Sequence, residues 1–212
     1  VFVLLPFVVR RAHQAAEDGY HAVLIPIVDL GVERLLRAEL PLGEDVGDVS
    51  FDAPSGTWSA QLARITINVF LFAVSRSAQP ARPTPDRILD DGRRERRPAL
   101  PMVELSYLVS VYAGSTRDEH QLLSDVFTCF VTHPILPADH LTQPLDSAVQ
   151  LQLAPHDHAR IKDIWGGVGG NYRPSFELVA TAALDSLPWL PLPPMVDRID
   201  TNISRVVGSG TG

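Results

Sequence analysis

The chain has 212 residues and is 45% hydrophobic, enough for one domain with a sizeable core. Its formal net charge of -7 and isoelectric point near 5.4 argue against a general nucleic-acid binder, which needs clustered Lys and Arg against phosphates, and favour a protein partner. Cys129 is the single cysteine, so neither an intramolecular disulfide nor a cysteine zinc site can form.

The opening VFVLLPFVVRR is too short to span a membrane, which takes about 20 apolar residues. Its arginines follow the apolar run and no cleavage site comes next, which is not the order of a signal peptide. Residues 1–22 read as an N-terminal extension. In residues 25–43, Ile27, Val28, Leu30, Leu35 and Leu36 make one broad apolar face, with Glu33, Arg34 and Arg37 largely opposite, and Pro41 and Gly43 stop an amphipathic helix. Residues 48–54 read as a short strand ended by Pro54, and Ser55-Gly56 as a turn. Residues 64–76 are mostly apolar on both faces and predict a central strand.

Five prolines and the charged run from Asp90 to Arg97 then predict a long, exposed, mobile loop over 77–101. A second long strand follows over 103–115, buried mainly on one face. The next stretch predicts a helix to His133, with Thr116 as its cap, Glu119 completing a capping box, and Leu122, Leu123, Val126, Phe127, Phe130 and Val131 covering the sheet. Cys129 lies within it as a small buried hydrophobe. Residues 148–155 alternate as a strand, 157–170 read as a short helix ending in glycines, and 174–184 as another strand. Prolines after Leu187 preclude regular helix and predict a flexible arm over 187–212.

The histidines are the chemistry to weigh. His133 and His140 flank two prolines, and His156 and His158 sit two apart, so none shows the i, i+4 spacing of a zincin. Asp139, Asp146 and Asp157 are the carboxylates that could complete a metal-hydrolase site with them. The simpler reading is that His133 closes a helix against its free carbonyls and that His156 and His158 mark a polar turn. The GGVGG of 166–170 follows a helix and precedes a strand, the reverse of a phosphate-binding loop, and reads as a helix end. Arg93–Arg97 alternate with acids and lack aromatic platforms, as in a solvated loop that docks on protein. No G-x-S-x-G elbow occurs.

Taken in order, VDLGVERLLRAELP, VSFDAPSGTWSAQLARITINVFLFAV, the Arg/Pro loop, VELSYLVSVYA, DEHQLLSDVFTCFVTHPILP and IWGGVGGNYRPSFELVATAAL form a pattern. It resembles the N-terminal domain of the cap proteins of contractile injection systems, over about residues 26–186. The matching pieces include Ser50, Phe51, Asp52 and Trp58, the run Glu104 to Tyr107, Glu119-His120, His133-Pro134, Trp165 and Arg173-Pro174. The resemblance implies a homo-hexameric ring, similar to a phage tail terminator, that closes the inner tube and sheath opposite the baseplate. It implies no catalytic, cofactor-binding or metal-binding residue and no cofactor.

The expectation is therefore a single α/β domain over 23–186, with a mixed or mainly antiparallel sheet covered by amphipathic helices, a long charged loop and an irregular Pro-rich arm. Its partners are expected to be further copies of itself and the tube and sheath proteins, without nucleic acid or a membrane span. Assembly is expected in the cytoplasm. The competing readings are a His/Asp metal-dependent hydrolase using His133, His140, His156 or His158, and a standalone protein-interaction adaptor.

Overall fold

Leu24 to Glu39 form the first helix, α1, which buries Val28, Val32, Leu35 and Leu36 completely on a 3.6-residue period. The computed structural model describes residues 24–43 and 45–193. The N-terminal extension and the end of the C-terminal arm lie outside them. Within these bounds the chain divides into two compact units, one formed by 24–83 with 99–186 and the other by 84–98 with the residues from 187 onward.

The larger unit is built on a five-stranded sheet. After α1 come β1 (Gly47–Ser50), a short helix α2 (Gly56–Ser59) and the long β2 (Ile65–Arg76). β5 (Met102–Tyr112), helix α3 (Thr116–Thr132), β6 (Gln150–Leu153), helix α4 (His158–Gly167) and β7 (Ser175–Ala183) complete it. β3 (Arg87–Ile88) and β4 (Arg94–Arg96) belong to the smaller unit, with β8 (Leu190–Pro191).

The large sheet runs β1-β2-β5-β7-β6, antiparallel throughout except for the parallel β1–β2 pair. β2 is internal, as its two apolar faces predict, but the centre of the sheet is β5. The expectation that β5 is buried mainly on one face is corrected. Leu105, Tyr107, Val109 and Val111 pack toward α1 and α3, while Leu108 on the opposite face is covered by Ile161 and Trp165 of α4. The two faces differ chemically. The first is almost wholly apolar, and the second mixes Leu108 with the buried polar side chains Thr66, Asn68, Ser106, Ser110 and Thr181.

α3 starts one residue earlier than its predicted cap. Ser115 is the cap, its hydroxyl accepting from the Asp118 amide at 3.2 Å, so Asp118 and not Glu119 sits in the capping-box position. Val126, Cys129 and Phe130 face the core, and Phe127, though 44% exposed, still packs on Phe176 of β7, but Val131 is 55% exposed and does not cover the sheet as expected. Burial pushes the Cys129 thiol up to about 11, with the Glu39 charge adding to it, which keeps it protonated and inert at neutral pH.

In the smaller unit, the charged stretch is mostly irregular but carries β3 and β4, which pair antiparallel, and β4 pairs in turn with β8. Its charges neutralise one another. Asp86 takes Arg94 and Arg96 at 3.1 and 2.7 Å, and Glu95 takes Arg87 at 2.6 Å. Trp189 lies between two guanidinium groups, with Arg87 at 4.4 Å and Arg97 at 4.7 Å from its ring.

Candidate functional site

The four predicted histidines fall at three separate places. His133 ends α3, its backbone N–H donating to the Cys129 carbonyl at 3.1 Å and its Nδ1 lying 2.9 Å from the same oxygen. Its Nε2 stands 3.6 Å from Glu39, so the ring ties the end of α3 to the end of α1. His140 closes a single 3₁₀ turn, Ala138–His140, whose last carbonyl accepts from Arg34 at 3.1 Å. His156 and His158 face each other, Nε2 to Nδ1 at 2.6 Å, at the exposed start of α4.

Of the candidate carboxylates, Asp157 is the N-cap of α4, accepting from the Arg160 amide at 3.1 Å, and Asp139 lies in the 3₁₀ turn. Among the described residues, no three His, Cys, Asp or Glu side chains lie close enough together to hold a metal ion. The glycines of 166–170 do end a helix. Gly169 takes φ +66° and its carbonyl accepts from the Gly56 amide at 3.1 Å, locking this turn against the start of α2.

That lock is part of a wider network at one end of the large sheet, where β2 begins and β5 ends. The Trp58 indole N–H donates to Asp52 at 3.2 Å, and Asp52 also accepts from Ser50 at 3.0 Å. The Asn68 amide holds the loop from beneath, donating to the Ser50 and Asp52 carbonyls at 3.3 and 2.9 Å. Trp58 meets Tyr112 edge to face at 5.3 Å, and Arg173 stacks on Tyr112 with 3.7 Å from its guanidinium carbon to the ring centre. Arg173 also donates to the Val111 carbonyl at 2.6 Å and reaches Glu119 at 3.4 Å, while Glu119 accepts from the Ala113 amide at 3.3 Å. Burial raises the Tyr112 hydroxyl above its usual pKa and the Arg173 charge pulls it partly back.

Ser50, Asp52, Trp58, Glu119 and Arg173 are all among the residues that carry the family resemblance. They come from four segments spread over more than 120 positions, and the fold brings them to one place. Trp165 joins the same end, fully buried, with its indole N–H on Ser175 at 3.1 Å. Tyr112 and Asn68 were not singled out from the sequence, since nothing but strand register places them here.

A groove of about 700 Å³ opens beside this network, walled by Leu123 and Phe127 of α3 and by Pro155, Tyr172, Pro174 and Phe176. Phe127 packs edge-on against Phe176 at 5.2 Å and Tyr172 is 53% exposed. The acid at its rim, Glu177, is held by Arg160 at 3.2 Å. The groove is mostly apolar, which suits a contact surface. No helix among the described residues is long and apolar enough to cross a membrane.

The Pvc16 N-terminal domain matches residues 28–189, most of the chain. Among solved structures, the chain is similar to one described as an extracellular contractile injection system, PVC sheath/tube terminator in extended state. The TM-score is 0.60 at 16% identity, over 85% of this chain and 64% of that one. It is likewise similar to the anti-feeding prophage cap, a tube terminating cap, with a TM-score of 0.62 at 18% identity over 86% of this chain and 62% of that one. The chain thus spans less than two thirds of the length of either. No curated protein matches it.

Proposed function

Because the chain belongs to the Pvc16 N-terminal domain family, we propose that it is a structural subunit of a cap that ends the tube and sheath of a contractile injection particle. In this reading six copies form a ring at the end opposite the baseplate, contact inner-tube and sheath proteins, and halt growth at the right length. Assembly takes place in the cytoplasm, before any release of the particle. The cap-type domain is residues 23–186, with 1–22 and 187–212 as its extensions.

The observation that carries this reading is the convergence of Ser50, Asp52, Trp58, Glu119 and Arg173 on one end of the sheet. Most polar groups there are spent on another protein group, the buried Asn68 Oδ1 being an exception, and the aromatic rings are locked edge to face or under a guanidinium. This is the chemistry of a stiff surface. A ring subunit needs such a surface because every loop left to be ordered on docking costs about 1–2 kcal/mol per residue in backbone entropy. Solved structures of the same fold described as terminators and caps support the assignment.

The direct test is cryo-electron microscopy of the protein co-expressed with its tube and sheath partners. Density for six copies of this fold at one particle end is the expected result. Particles that contain none of this chain, with the protein a monomer alongside them, overturn it.

A further inference from the structure

Two histidines flank the start of α4. Asp157 is its N-cap, accepting from the Arg160 amide at 3.1 Å, with His158 as the first helical residue and His156 just before the N-cap. Pro155 constrains the chain on the other side, because its ring holds φ near about −65°. Both histidine side chains are exposed, yet the backbone that carries them is set. The rings meet with their centres 4.9 Å apart and their planes at 64°, and the Tyr172 ring lies 6.3 Å from that of His158.

The contact brings ring nitrogen against ring nitrogen, Nε2 of His156 standing 2.6 Å from Nδ1 of His158. Two neutral imidazoles meet this way only when one of the facing nitrogens carries a proton and the other accepts it. Among the described residues, neither facing nitrogen makes another hydrogen bond. Each is spent on the other alone.

We propose that His156 Nε2 and His158 Nδ1 form a chelating site for a divalent transition-metal ion of the Ni(II) or Cu(II) kind, which takes the place of the shared proton. That proton passes through water to the far nitrogen of its own ring. Both imidazoles stay neutral, each turns a lone pair to the ion, and no net proton is released.

The geometry selects the metal. An ion about 2.0–2.1 Å from each nitrogen holds the two about 2.9 Å apart at neighbouring corners of a square or an octahedron, and about 3.3 Å apart in a tetrahedron. From 2.6 Å the first needs an opening of about 0.3 Å and the second about 0.7 Å, so square or octahedral ions are favoured over tetrahedral Zn(II). The positive end of α4 works against a cation, and the Asp157 carboxylate between the two histidines offsets it. Among the described residues no third His, Cys, Asp or Glu joins the pair, so water fills the remaining positions and the ion exchanges readily. His156 also lines the groove beside Tyr172, which puts the ion at its lip. The site does not depend on the role in assembly.

Calorimetric titration of the full chain with nickel chloride, and separately with zinc chloride, tests it. The expected result is one nickel ion per chain, bound more tightly than zinc, with affinity falling at least about tenfold in His156→Gln and in His158→Gln. It should be unchanged in His140→Gln, a histidine elsewhere on the fold. Both altered side chains are exposed, so the variants keep the fold. As a second readout, substoichiometric copper chloride should broaden the imidazole proton resonances of His156 and His158 before those of His120, His133 and His140. Nickel binding weaker than about 1 mM in the wild type overturns the proposal. So does nickel affinity that survives in the double variant, or zinc bound more tightly than nickel.

Discussion

The Tyr107 hydroxyl donates a hydrogen bond to Asp29 Oδ1 at 2.7 Å, joining the central strand to α1 across an otherwise aliphatic interface. Tyr107 is fully buried, and burial drives its hydroxyl pKa up, with the Asp29 charge adding to the rise. Burial likewise raises the Asp29 carboxyl above its ordinary value, and the Tyr107 hydrogen bond only partly opposes this. Tyr107→Phe strips a half-buried carboxylate of its donor, so unfolding free energy falls by about 1.5–3 kcal/mol in denaturant titration. A change under about 0.5 kcal/mol would show that water replaces the hydroxyl.

The raised Asp29 carboxyl also sets a pH dependence. Its folded form takes up a proton at higher pH than the unfolded chain does, so this group favours folding below the ordinary carboxyl value of 3.8 and loses that contribution as pH rises through the folded pKa. Other carboxylates titrate nearby, so the quantity to measure is the stability of the wild type minus that of Asp29→Asn. It should rise as pH falls toward 4. A flat difference would show that the carboxyl titrates as in the unfolded chain.

Gly170 and Gly166 belong to the same glycine run but should respond oppositely to alanine. A Cβ at Gly170 would collide with the Pro54 carbonyl and the Trp165 ring, whereas one at Gly166 meets nothing within 4 Å. Gly170→Ala should cost about 1–3 kcal/mol through overpacking. Gly166→Ala, inside α4, should be neutral or stabilising by up to about 1 kcal/mol. Similar melting points for the two variants would contradict the packing of this turn.

Much of this architecture was legible in the sequence, and what was not shares a cause. α1, β2, β5 and α3 announce themselves by local periodicity. By contrast, β3 and β4 are two and three residues long and gain their third strand from Leu190 and Pro191, about a hundred positions away. No local pattern encodes such a pairing, so the stretch reads as loop. The second covered face of β5 was missed because its cover, Ile161 and Trp165, comes from a helix of weak amphipathicity. At the sheet end, the residues carrying the resemblance were visible, but Tyr112, which Trp58 and Arg173 both contact, was identifiable only through the register of β5.

Arg173 should be irreplaceable by lysine. Its plane stacks on Tyr112 while one nitrogen serves both Val111 and Glu119, a geometry a point charge cannot reproduce. Arg173→Lys should lose about 1–2 kcal/mol and Arg173→Ala only slightly more. A double-mutant cycle with Tyr112→Leu should return a coupling of about 0.5–1 kcal/mol. Zero coupling would mean the stack contributes nothing.

Trp189→Ala removes the ring between Arg87 and Arg97 and should loosen the small sheet alone. Amide exchange at residues 94–96 should speed up while that of Leu105 to Val111 stays unchanged. Equal acceleration in both would show that the two units open together.

The central claim is that this chain ends particle growth, and particle length reads it most directly. Tube and sheath lengths measured by electron microscopy should be narrowly distributed in cells carrying the gene. They should become broad on its deletion and narrow again on complementation. Lengths that stay uniform without the protein would contradict the terminator account.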